Sequence, residues 1–115
     1  MTITELLDAI KAYHKELGYD YKYPDKEAQM VHVRELALAQ IAEVNEFLNE
    51  TPWKPWRKIE DQRFNKTAAA EEIIDQIFFM AAMWFAMGLP NSSFEEMFKT
   101  KLQENQARIV RGYNK

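Results

Sequence analysis

Two pairs of acids share one spacing. Glu43 and Glu46 are three residues apart, and so are Glu72 and Asp75. On a helix this spacing puts both members of a pair on one side, about one turn apart. Should the two faces meet, four carboxylates converge, and like charges in a small volume resist ionising together. Drawing them out of water is costly without a counter-charge, which a hard divalent cation supplies. Oxygen donors without thiolate or imidazole suit Mg2+, with Mn2+ as a substitute. A di-iron bundle is the rival, and it needs Glu-x-x-His on two helices. Lys11 precedes His14 by three and Gln29 precedes His32 by three, so that rival fails. Both histidines then read as surface or loosely packed residues. Either acid pair alone reads more simply as a solvated helix face; the signal is the repeated pattern, with Glu71 adjoining as a fifth candidate.

The elements that must hold these acids are helices. From Thr67 to Met87 the chain opens with carboxylates and then runs from Ile77 to Met87 with no charge. Eleven apolar residues fall short of the roughly 20 that span a bilayer, so no membrane span is expected and the run should be buried in protein on nearly every face. The spacing of Ile3, Leu6, Leu7, Ile10, Tyr13 and Leu17 predicts a first helix, with Thr2 or Thr4 as its cap and Gly18 as its end. A second helix runs from an Asp25 cap to about Asn49, where Thr51-Pro52 stops it. Trp53 to Lys66 is basic and aromatic with no period, a functional loop between helices. Gly88 closes the third helix as a left-handed residue. Ser92 to Glu95 fits a capping box for a fourth helix reaching about Val110.

Composition narrows the function. With 115 residues the chain is expected to be one domain, 1–115, yet 47% hydrophobic and 13% aromatic content is rich for that size, which points to burial between subunits. No cysteine is present, so disulfides, thiolate metal sites and a Cys nucleophile are excluded. A net charge of −3 with mixed signs argues against a nucleic-acid partner. The amino terminus is acidic early and amphipathic, which is no secretory signal, and a cytoplasmic protein is expected. The fold class read from the sequence is all-α, a four-helix-type bundle with an intersubunit helical core.

At this point the residues meet a family. Glu43-x-x-Glu46 followed by Glu72-x-x-Asp75 resembles the metal signature of the all-α nucleoside triphosphate pyrophosphohydrolases, which include MazG, dimeric dUTPase and phosphoribosyl-ATP pyrophosphohydrolase. Trp53-Lys54-Pro55-Trp56-Arg57 is similar to the tryptophan loop of dimeric dUTPases and phage dCTPase-dUTPases, with Pro55 in place of the first tryptophan. The tail from Lys101 through Asn105 and Arg108 to Gly112-Tyr113 resembles their carboxyl-terminal pattern, with departures at Leu102 and Ile109. In these pyrimidine enzymes a histidine and a phenylalanine follow the last aspartate by three and four residues. Here the positions hold Phe78 and Phe79, so the histidine is missing and the phenylalanine kept.

The resemblance implies Mg2+-dependent hydrolysis of a deoxynucleoside triphosphate, dUTP before dCTP, to the monophosphate and pyrophosphate. Glu43, Glu46, Glu72 and Asp75 would hold the metal, and Glu46 would also orient or deprotonate the attacking water. Lys54, Arg57, Lys101 and Arg108 would neutralise phosphates, with Asn105 and Tyr113 also lining the substrate site and Trp56 and Phe79 stacking on base or sugar. A homodimer or homotetramer is expected. Two alternatives stand beside this reading: a MazG-type enzyme acting on purine or modified triphosphates, and a non-catalytic helical protein that dimerises through the third helix.

Overall fold

The structure, a computed structural model, describes residues 1–112. Four helices form, α1 (Ile3–Glu16), α2 (Lys26–Asn49), α3 (Lys66–Ala86) and α4 (Phe94–Val110), with no strand among the described residues. The all-α expectation therefore holds. Local chemistry sets most helix ends. Thr2 caps α1 in a full capping box with Glu5, and the Asp25 carboxylate accepts from the Ala28 N–H at the start of α2. Asn65 caps α3 through the Ala68 N–H. At the far ends of α1 and α3, Gly18 and Gly88 take positive φ of 96° and 75°. The amides of Tyr19 and Leu89 then reach back to the carbonyls of His14 and Trp84, and those of Gly18 and Gly88 to Lys15 and Phe85. Both helices end in this paired closure, which satisfies carbonyls that would otherwise be orphaned.

One expected cap does not form. Asn91 to Ser93 coil into a 3-10 turn ahead of α4, and the Ser93 hydroxyl donates to the Pro90 carbonyl. Ser92 is thus inside a turn rather than at a helix boundary, so the capping box over Ser92 to Glu95 is not made.

Helices α2 and α3 form an antiparallel hairpin. The Gln29 side-chain amide donates to the Ala86 carbonyl at one end, and the Asn65 N–H donates to the Glu50 carbonyl at the other. Residue numbers therefore rise along one helix as they fall along the other, and Glu43 comes opposite Glu72. The core lies between α1 and α3, where Leu7 and Ile10 meet Ala81 and Phe85. Burial of the Ile77–Met87 run is one-sided within the chain. Ala81, Ala82, Phe85 and Ala86 are buried, whereas Met80 and Met87 are about half exposed at 50% and 47%. No residue of α2 is fully buried, and Leu38 and Ile41 stand open to solvent. Helix α4 is anchored by its first turn, where Phe94 packs edge-on against Trp84; beyond that turn only Ala107 is even partly buried.

Candidate active site

The hairpin brings three of the four acids to one point. Glu43 and Glu46 from α2 and Glu72 from α3 each place a carboxylate oxygen within 4.8 Å of the other two. Small, partly or fully buried residues flank the cluster, Ala39 on α2 and Ala68 and Ala69 on α3. Glu43 and Glu72 are partly buried, and Glu46 is exposed. Buried Oε2 atoms of both Glu43 and Glu72 lack a hydrogen-bond partner. An orphaned buried carboxylate oxygen is a costly feature that a cation would relieve. Burial, reinforced by the charges of Glu46 and Glu72, pushes the Glu43 carboxyl up to about 7. Glu72 is also raised, by burial first and then by the charges of Glu46 and Asp75. An all-carboxylate set of this kind fits Mg2+ or Mn2+.

Asp75 is placed differently. It is exposed and lies outside the three-acid cluster, on an open groove of about 530 Å³ that it shares with Tyr13, His14, Phe78 and Phe79. Glu71 is also exposed and stands outside the cluster. The missed neighbour is Gln40, one turn before Glu43, whose buried Oε1 is likewise without a partner. By the hairpin register it faces the Asp75 level of α3. An amide at i−3 from an acid was the signal available in the sequence.

The loop after α2 is built around a residue the sequence did not single out. The Gln62 side chain accepts from the Lys54 N–H and donates to the carbonyls of Lys54 and Arg57. Lys54 and Arg57 thereby line one small cavity of about 200 Å³ with Arg63 and Asp61. Trp56 projects at 68% exposure, its ring edge-on to Trp53. Phe79 lies in the groove beside Asp75. Lys101, Asn105 and Arg108 are exposed on α4. Lys101 pairs with Glu104 on its own helix, and the chain does not bring these three to its own acids. Tyr113 lies outside the described residues.

The histidines depart from expectation. His14 is buried, and the Tyr21 hydroxyl lies 2.6 Å from its Nδ1. His32 is half-buried and meets the Tyr23 hydroxyl at the same distance. The alternation of Tyr19, Tyr21 and Tyr23 in the short α1–α2 connection folds three rings back over α1 and α2. That alternation was the sequence signal for their burial.

Facing helices, a cluster of carboxylates at their middle and an aromatic groove beside it make up an all-α architecture with one candidate site. A family model described as dUTPase matches residues 3–114, nearly the whole chain. The chain belongs to that dUTPase family, whose class of activity is hydrolysis of a nucleoside triphosphate. No curated protein and no solved structure matches it.

Proposed function

We propose that the chain hydrolyses dUTP, and dCTP less well, to the monophosphate and pyrophosphate in a Mg2+-dependent reaction that serves nucleotide-pool housekeeping in the cytoplasm. The observation that carries this reading is the convergence of Glu43, Glu46 and Glu72, two with orphaned buried oxygens, in a chain matched throughout by a dUTPase family. Those three residues would hold the metal, with Asp75 and Gln40 completing its surroundings. A bound Mg2+ supplies charge neutralisation for phosphate oxygens and acidifies water. Glu46, the exposed member, is the carboxylate free to orient the attacking water and take its proton. Lys54 and Arg57, held by Gln62, meet the negative charge of the triphosphate.

The working unit is a homodimer or a homotetramer. Its support is the exposed apolar surface of α2, α3 and α4, and the exposure of Lys101, Asn105 and Arg108 on α4, which in such an assembly would serve a neighbouring subunit's site. The test is pyrophosphate release from a panel of canonical and modified dNTPs, with Mg2+ or with chelator. Turnover led by dUTP and lost in chelator is expected. Release confined to purine triphosphates would move the reading to a MazG-type enzyme. No turnover, together with no nucleotide-dependent rise in melting temperature, would leave a non-catalytic interaction protein.

A further inference from the structure

A second cavity of about 240 Å³ opens beside the groove that holds Asp75, walled by Phe78, Phe79, Tyr19, Tyr21 and His32. His14 and the two phenylalanines border both spaces. From Glu72 to Phe79 is about 10 Å along α3 at the helical rise, comparable to the separation of base and phosphates in an extended nucleotide. An aromatic slot at that distance from the carboxylate cluster proposed to hold Mg2+ suits a flat base.

His14 is a polar group that borders both the slot and the groove of Asp75, and its hydrogen-bond partner is Tyr21. Burial, with Tyr23 and Tyr19 nearby, pushes the Tyr21 phenol up to about 12, so it keeps its proton. Among the described residues His14 Nδ1 is the one partner of that hydroxyl. The hydroxyl is half-buried, and in the arrangement where it donates to the imidazole, Nδ1 accepts. Burial lowers the His14 pKa, which favours the neutral ring, and in that arrangement Nε2 carries the hydrogen as a donor. Tyr21 is itself held in a left-handed backbone conformation, φ 56°, that a non-glycine residue adopts only when its surroundings impose it. Its ring packs on Phe85 and stacks on His32.

The geometry points to His14 as a specificity-determining residue that donates from Nε2 to a ring carbonyl of a bound pyrimidine, with Tyr21 as the positioning residue that fixes its tautomer. This rests on the nucleotide reading above and deepens it: an imidazole supplied by α1 stands in the slot where position 78 holds phenylalanine. Uracil offers an acceptor at C4, whereas cytosine offers an amino donor there. A donor facing a donor in a buried slot leaves both unpaired, and such mismatches discriminate far more strongly than apolar fit.

The test has two arms. In the ligand-free protein, nitrogen-15 imidazole spectra should show His14 as the Nε2–H tautomer, becoming a mixture in Tyr21→Phe. Adding dUMP should shift the His14 Nε2–H signal, and dCMP should shift it much less. In the kinetic arm, His14→Phe should reduce the dUTP over dCTP preference in kcat/KM by about tenfold, His14→Gln should restore part of it, and Tyr21→Phe should lie between. An Nδ1–H tautomer in the wild type, or an unchanged preference in folded His14→Phe, would overturn the inference while leaving dUTP hydrolysis standing. A His14 signal that responds to dUMP in a protein that releases no pyrophosphate would do the opposite, keeping the subsite and removing the proposed reaction.

Discussion

A carboxyl group that keeps its proton to about pH 7 in the folded chain, and releases it near 4.5 once unfolded, makes folding proton-dependent across that interval; Glu43 is such a group. Between the two values the folded chain binds more protons than the unfolded one, so stability falls as pH rises through the window, and the penalty is complete above about 7. Metal-free protein should therefore melt a few degrees lower at pH 8 than at pH 5.5, the difference amounting to on the order of 1 kcal/mol once water at the half-buried site screens it. His14 works the other way: its lowered pKa favours folding as pH rises toward 6.5. The Glu43 contribution is isolated by comparing melting profiles in chelator for the wild type and Glu43→Gln. The variant should lose the fall between pH 4.5 and 7 and melt higher at pH 8. Mg2+ should raise the melting temperature of the wild type at pH 8 and do little for the variant. Identical slopes in both proteins would place the pH dependence elsewhere. Glu72→Ala should likewise abolish turnover while leaving the metal-free chain as stable or more so, because it removes one of the mutually repelling charges.

Elements differ in how far the sequence discloses them. The Thr2, Asp25 and Gly88 boundaries were legible because each depends on one residue and its next few neighbours. The Ser92 boundary was not, because the serine motif also suits the 3-10 turn that Pro90 initiates, and Ser93 bonds backward instead. Glu43, Glu46 and Glu72 were legible as a cluster because helical spacing repeats across one hairpin; Asp75 shares that spacing but lies on the groove beside the cluster. Periodicity gives a helix face only to within part of a turn, and the hairpin's register settles the rest. The loop between α2 and α3 carries no period at all, so its organiser could not be read in advance. Gln62 makes three hydrogen bonds to that loop by its amide, two with Lys54 and one with Arg57. Gln62→Ala should release Lys54 and Arg57 from their places, raising KM for the triphosphate by about tenfold with a loss of melting temperature of a few degrees at most, since the loop adds little to the core. A large fall in stability with unchanged KM would make Gln62 a folding residue instead.

For the whole chain, size and shape disagree with those of a closed monomer. The radius of gyration is 17.8 Å, against about 13 Å for a compact chain of this length. The accessible surface is 8842 Å², against roughly 6,600 Å² for a compact monomer of this mass. The excess is of the size that obligate subunits bury against one another. Which faces are left open within the chain depends on where α4 goes, and that follows from its first turn, which packs on Trp84 and against α1. Leu38 and Ile41 on α2 and Phe98 on α4 are among the exposed apolar residues. Ile41→Glu or Phe98→Glu should lower the assembly state seen by light scattering while keeping the helical content of the chain. The placement of Arg108 away from its own acids makes a sharper test. Glu72→Ala and Arg108→Ala proteins should each be inactive alone, one lacking a carboxylate of the cluster and the other the basic arm. If the arm serves a neighbour, unfolding and refolding them together yields mixed dimers in which one site has an intact cluster from one chain and an intact arm from the other. An equal mixture should then recover about a quarter of wild-type activity, because half the dimers are mixed and each has one complete site. No recovery, with mixed dimers demonstrated by differently tagged chains, would mean that α4 folds back on its own hairpin and that Arg108 acts within its own subunit.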